Sequence, residues 1–169
     1  MANTYYLIAS NTIGSGGASS VTFTSIAQTY TDLKLVISSR SVAADTSDGL
    51  YLKINTSASS FLQSRVYGSG TAVTSNQTPT NIVTLDDAAN NTANVFGSAD
   101  IYLPYYTAST NKAYYAYSVE EQNGTASYIQ LLSGLWNGTA AITEINLYYG
   151  STSNIAQYSS FSLYGIKNS

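Results

Sequence analysis

A chain of 169 residues suits one domain, and with only 9% of them charged, against about 25% in ordinary soluble proteins, its surface must be built from Ser, Thr, Asn, Gly and Tyr. Disorder is excluded, because 44% hydrophobic content with sixteen Tyr can offset the entropy of ordering. A net charge of −3 with six scattered Lys and Arg excludes a phosphate-binding face, and no apolar run approaches the roughly 20 residues of a membrane helix.

Short apolar-alternating runs then follow one another along the chain. The opening segment has no basic stretch before an apolar one and does not read as a signal peptide. Thr4–Ser10 and Ser20–Ser25 are the first predicted strands, separated by the glycine-rich connection Ile13–Gly17. Asp32–Ser39 places Leu33, Leu35 and Ile37 on one face. Asp48-Gly49 reads as a tight turn into Leu50–Asn55, where Leu50, Leu52 and Ile54 alternate with Tyr51 and Lys53. Phe61–Tyr67 is the next strand, and the polar stretch Gly68–Pro79 reads as a long loop. Asn81–Leu85 leads into a second loop, Asp86–Asn94. Ser98–Leu103 carries Ile101 and Leu103, and Ala113–Glu120 and Ser127–Leu135 flank an Asn123-Gly124 turn. Asn137-Gly138 marks another turn before Thr143–Tyr149, and Ser160–Ile166 sets Phe161 and Leu163 against Ser162 and Tyr164. No segment sustains an apolar period near 3.6. The expectation is an all-β fold over residues 1–169: an antiparallel β-sandwich, jelly-roll-like, of about ten strands.

Chemistry has few places to reside. There is no His, which removes the usual general base, the Ser-His-Asp triad and the commonest metal ligand; with no Cys there is no disulfide or thiolate metal site. Ser-Lys or carboxylate-only chemistry stays open. Glu120-Glu121 sits at a strand end with its two side chains on opposite faces, poorly placed as a glycosidase pair, and reads as a solvated end. Asp86-Asp87 opens an Asn-rich loop. Asp45 with Asp48-Gly49 resembles part of a calcium loop but lacks its twelve-position pattern. No catalytic, cofactor or metal residue is expected, and the sequons at Asn55, Asn76, Asn90, Asn123 and Asn137 are ascribed to composition.

Tyrosine is the more informative residue. It clusters at Tyr5-Tyr6, Tyr105-Tyr106, Tyr114-Tyr115 with Tyr117, and Tyr148-Tyr149. Strand parity puts Tyr115 and Tyr117 on one face and Tyr114 on the other. Tyr105, Tyr106, Tyr114, Tyr115, Tyr117, Tyr148 and Tyr149 are therefore the candidate subunit or partner contacts, able to meet another subunit or stack on sugar rings. The competing reading makes half of each cluster core. Trp136 is expected at a core edge.

The residues also carry a likeness. Asn3–Ser10, Val21–Phe23, Thr29–Arg40, Gly97–Pro104, Ser109–Lys112, Gly134–Trp136, Thr139–Ile145 and above all the ending Ser160–Ser169 resemble, in this order, a family of tailed-bacteriophage, cyanophage-like virion proteins. The resemblance covers nearly the whole chain, with a gap at 71–87, and no single motif in it is chemically specific. It implies a jelly-roll virion protein similar to head cement or decoration proteins: a homotrimer, made in the host cytoplasm, that binds the major capsid protein on the outer surface of the head. Related segments resemble tail-fibre and other appendage domains, so a receptor- or carbohydrate-binding module is the alternative. Neither implies nucleic acid or membrane as a partner.

Overall fold

The computed structural model describes residues 4–150 and 153–167, so Asn3, Asn168 and Ser169 of the motifs above lie outside the described residues. Twelve strands run β1 Tyr5–Thr12, β2 Val21–Phe23, β3 Asp32–Ser39, β4 Ser47–Ile54, β5 Phe61–Ser69, β6 Ala72–Thr78, β7 Ile82–Asp87, β8 Gly97–Leu103, β9 Lys112–Gln122, β10 Ala126–Trp136, β11 Ile145–Tyr149 and β12 Ser160–Ile166. They form an eight-stranded sheet, β1-β12-β3-β8-β9-β10-β5-β6, packed on a four-stranded sheet, β2-β11-β4-β7, with every neighbouring pair antiparallel. The molecule is an all-β sandwich.

The pairing is nested. β1 pairs with β12, β2 with β11, β3 with β8 and β4 with β7, as if one long hairpin had been rolled up and its pairs dealt alternately to two sheets. That is jelly-roll connectivity. Two further hairpins are inserted into it, β5/β6 between β4 and β7, and β9/β10 between β8 and β11. They pair with each other through β10 and β5 and widen the larger sheet beyond β8.

Alternation builds the core. Leu33, Leu35 and Ile37 of β3, Leu50, Leu52 and Ile54 of β4, Ile145 and Leu147 of β11, and Phe161 and Leu163 of β12 are all buried in one cluster. Each such side chain contributes about 1.5–3 kcal/mol relative to exposure. Trp136 is also buried there, and only Gly fits at position 138, where a Cβ would stand 2.1 Å from the indole ring.

Three local expectations are corrected. Gly68–Pro79 is not a loop but most of a hairpin, with Gly70 at φ +62° in the first of two turn positions, as a type II′ turn requires. Its alternation is unreadable because β6 is mostly exposed on both faces, so neither selects apolar residues. Asp48-Gly49 is not a turn but part of β4, paired with Asp86 and Leu85 of β7. Asn137-Gly138 stays out of the positive-φ region, whereas Asn123 (φ 48°) and Gly124 (φ 69°) both adopt it between β9 and β10.

Candidate interaction surface

The larger sheet turns one face to the smaller sheet and the other outwards. Register fixes the outer side chains in rows. One row crosses the sheet through Tyr164, Lys34, Tyr102, Tyr115, Ser133, Ser64 and Gln77. The next runs through Ser162, Val36, Asp100, Tyr117, Leu131, Val66 and Ser75, and a third through Val119, Ile129, Gly68 and Val73. Tyr115 and Tyr117 are 47% and 42% exposed, and Leu131 and Val73 reach 60% and 77%. The inserted hairpins thus present tyrosines followed by aliphatic side chains towards the β6 edge, a composition associated with contact surfaces.

Charge is sparse on this face, and Lys34 is paired with Asp100. Lys34 Nζ lies 2.9 Å from Asp100 Oδ2, and that bond holds the ammonium pKa above its usual value despite partial burial. Tyr115 stacks on Tyr102 with centroids 5.3 Å apart. Tyr102 donates to Asp32 Oδ2 at 2.7 Å; partial burial first, and that bond second, push its hydroxyl up to about 12. A shallow hollow near the edge is lined by Val66, Leu131, Ser64, Ser75, Gln77 and Ser133.

The seven candidate tyrosines divide. Tyr105, Tyr115 and Tyr117 are exposed, and Tyr148 is half-buried. Parity placed Tyr114 opposite Tyr115 and Tyr117, and it is indeed buried, beneath Gly134 and edge-on to Phe61. As contact residues Tyr106, Tyr114 and Tyr149 are therefore corrected: all three are core. The hydroxyl of Tyr106 donates to the Ala27 carbonyl, that of Tyr114 accepts from Gln63 Nε2 at 2.6 Å, and that of Tyr149 donates to Asp86 Oδ2 at 2.8 Å. A polar tip with an internal partner makes such a ring an ordinary core residue.

Tyr148 belongs to the outer face of the smaller sheet. It stacks on Tyr51 with centroids 5.3 Å apart and carries Lys53 Nζ 4.5 Å above its ring. The adjoining hollow is lined by Lys53, Glu144, Asn146, Ser19, Ser20 and Thr56.

Four carboxylates, Asp32, Asp86, Asp87 and Glu120, are buried within the fold. Asp86 is fully buried, its Oδ2 accepting from Ser39, Thr84 and Tyr149; burial raises its pKa to about 6 against those bonds. Glu120 corrects the solvated-end reading. It is 4% exposed, and burial, reinforced by the charges of Asp86 and Asp87, raises its carboxyl to about 8. β7 lies against β9, and that tertiary contact encloses it. Glu121, on the opposite face, accepts from the N–H groups of Thr92 and Gly124, which hold its pKa down. Asp48 accepts from Ser41 and from the Gly49 N–H, and Asp45 from the Thr46 N–H. Among the described residues no group of three or more Asp or Glu is arranged to hold a metal ion.

Two buried cations went unnoticed in the sequence. Arg40 donates to the carbonyls of Ala89, Asn91, Thr92 and Val95 and so fastens the loop after β7. Lys112 does the same for residues 138–140, its Nζ 5.6 Å from the Trp136 ring. Only the folded loops reveal these roles, since the acceptors are backbone atoms of any residue type. Comparison with family models, curated proteins and solved structures finds no match to this chain.

Proposed function

We propose that the chain is a structural protein of a bacteriophage virion that seats on the outer surface of the head, binds the major capsid protein shell and stiffens it without doing chemistry. The observation that carries this reading is the outer face of the eight-stranded sheet, where Tyr115, Tyr117, Leu131, Ile129 and Val66 lie in register with no unpaired charge among them. A ligand that prefers assembled subunits shifts the equilibrium towards the closed lattice. Weak neutral contacts repeated over a symmetric shell act together through multivalency, and with few ion pairs to screen, binding should survive high salt.

Particles assembled without the protein should form, yet lose packaged DNA at lower temperature or under osmotic shock. The competing reading is a receptor- or carbohydrate-binding module, favoured by the stacked Tyr51–Tyr148 pair beside the polar hollow with Lys53, Glu144 and Asn146. Particles that keep stable heads but fail to adsorb to cells would establish that second reading and refute the first.

A further inference from the structure

The two sheets have four edges: β1 and β6 on the larger, β2 and β7 on the smaller. Free edges invite pairing unless blunted by shortness, bulges, charge or Pro. β2 is three residues long. β1 is interrupted by a bulge between Leu7 and Ala9. β7 is bulged against β4 and ends in the buried Asp86 and Asp87. β6 has none of these protections. It runs seven residues in unbroken register with β5 and contains neither charge nor Pro.

We propose that β6 pairs antiparallel with β6 of a second copy of this chain, joining two eight-stranded sheets across a two-fold axis at Ser75. The two-residue turn Gly70-Thr71 closes on a hydrogen-bonded pair, Ser69 with Ala72. Alternation then directs the N–H and C=O of Ala72, Thr74, Asn76 and Thr78 at β5 and leaves those of Val73, Ser75 and Gln77 on the free edge. Set antiparallel about Ser75, Ser75 exchanges both bonds with its own copy and Val73 with Gln77. Every free group of these three residues finds a partner. Charge favours the same occupant: an uncharged strand meets its copy with no like charges opposed, and the nearest rows bring Val66 and Leu131 of both copies beside one seam. One strand edge buries far less than the roughly 800 Å² per partner of a standard interface, so the contact is weak in solution and is suited to the high local concentration of a lattice. A two-fold seam satisfies one edge with itself, whereas the threefold assembly implied by the resemblance needs a different patch. The pairing does not depend on the virion reading.

The chain has no Cys, so single-thiol variants give a clean assay. Ser75→Cys and Ser10→Cys, the latter on the β1 edge, are treated with a short thiol-reactive bifunctional crosslinker. Ser75→Cys should yield covalent dimer far faster than Ser10→Cys. Sedimentation of the unmodified protein over rising concentration should approach twice 17.9 kDa. Ser75→Pro removes an edge N–H without touching β5 and should weaken the association about tenfold while preserving the circular dichroism spectrum. Equal crosslinking of both thiols, a limiting mass of one or three chains, or unchanged association of a folded Ser75→Pro protein would overturn the proposal.

Discussion

Glu120 carries a proton that most glutamates have lost at neutral pH. Its pKa rises from 4.5 unfolded to about 8 folded, so the native state holds a proton that the unfolded chain releases. The resulting stability is fully present below about pH 4.5 and is lost as pH climbs towards 8, at up to about 1.4 kcal/mol per pH unit. Asp86 adds in the same sense between 3.8 and about 6. Thermal melts should therefore fall across this window, and Glu120→Gln, neutral at every pH, should flatten most of the decline; a variant as pH-dependent as the parent would refute the assignment. Parity on β9 was legible, since it orders Tyr114 against Tyr115 and Tyr117 wherever the strand lies. The burial of Glu120 was not, because its cover comes from β7, more than thirty residues upstream.

At the scale of elements, the inserted hairpins depend on close backbone approaches. Gly134 on β10 lies directly over the Tyr114 ring, and a Cβ there would stand 2.1 Å from Cζ. Gly134→Ala should cost about 2–3 kcal/mol in urea unfolding. The double variant with Tyr114→Ala should cost less than the sum of the two singles, because the second change removes what the first collides with. Strict additivity would place the damage elsewhere. Strands with one buried face were readable from alternation: Leu33, Leu35 and Ile37 along β3, and Phe161 and Leu163 between Ser160, Ser162 and Tyr164 on β12. β6 was not, since the sequence of a strand wetted on both sides follows solvation rather than a core. Asp48-Gly49 misled for a related reason: it has the composition of a turn but pairs with β7, where the Ile82 side chain lies close over Gly49.

For the molecule as a whole, a rolled sandwich was foreseeable from strand spacing and turn residues, while the choice of which hairpins are insertions resided in pairings no local pattern encodes. The tyrosine clusters likewise pointed to an exposed aromatic face without revealing that the aliphatic side chains beside it come from β5, β6 and β10. The nesting has a temporal consequence. Tyr5 pairs with Ile166 and Phe23 with Ile145, so the outermost closures of the nest join residues that are among the farthest apart in the chain. Loop-closure entropy must be met before such contacts return anything, which places folding in the millisecond-to-second range of β-sandwiches. Stopped-flow refolding followed by Trp136 fluorescence should show this, and a microsecond phase carrying the full amplitude would contradict it. Until β12 is made, β1 and β3 lack the strand that lies between them; a nascent chain must keep Leu33, Leu35 and Ile37 out of other associations until then.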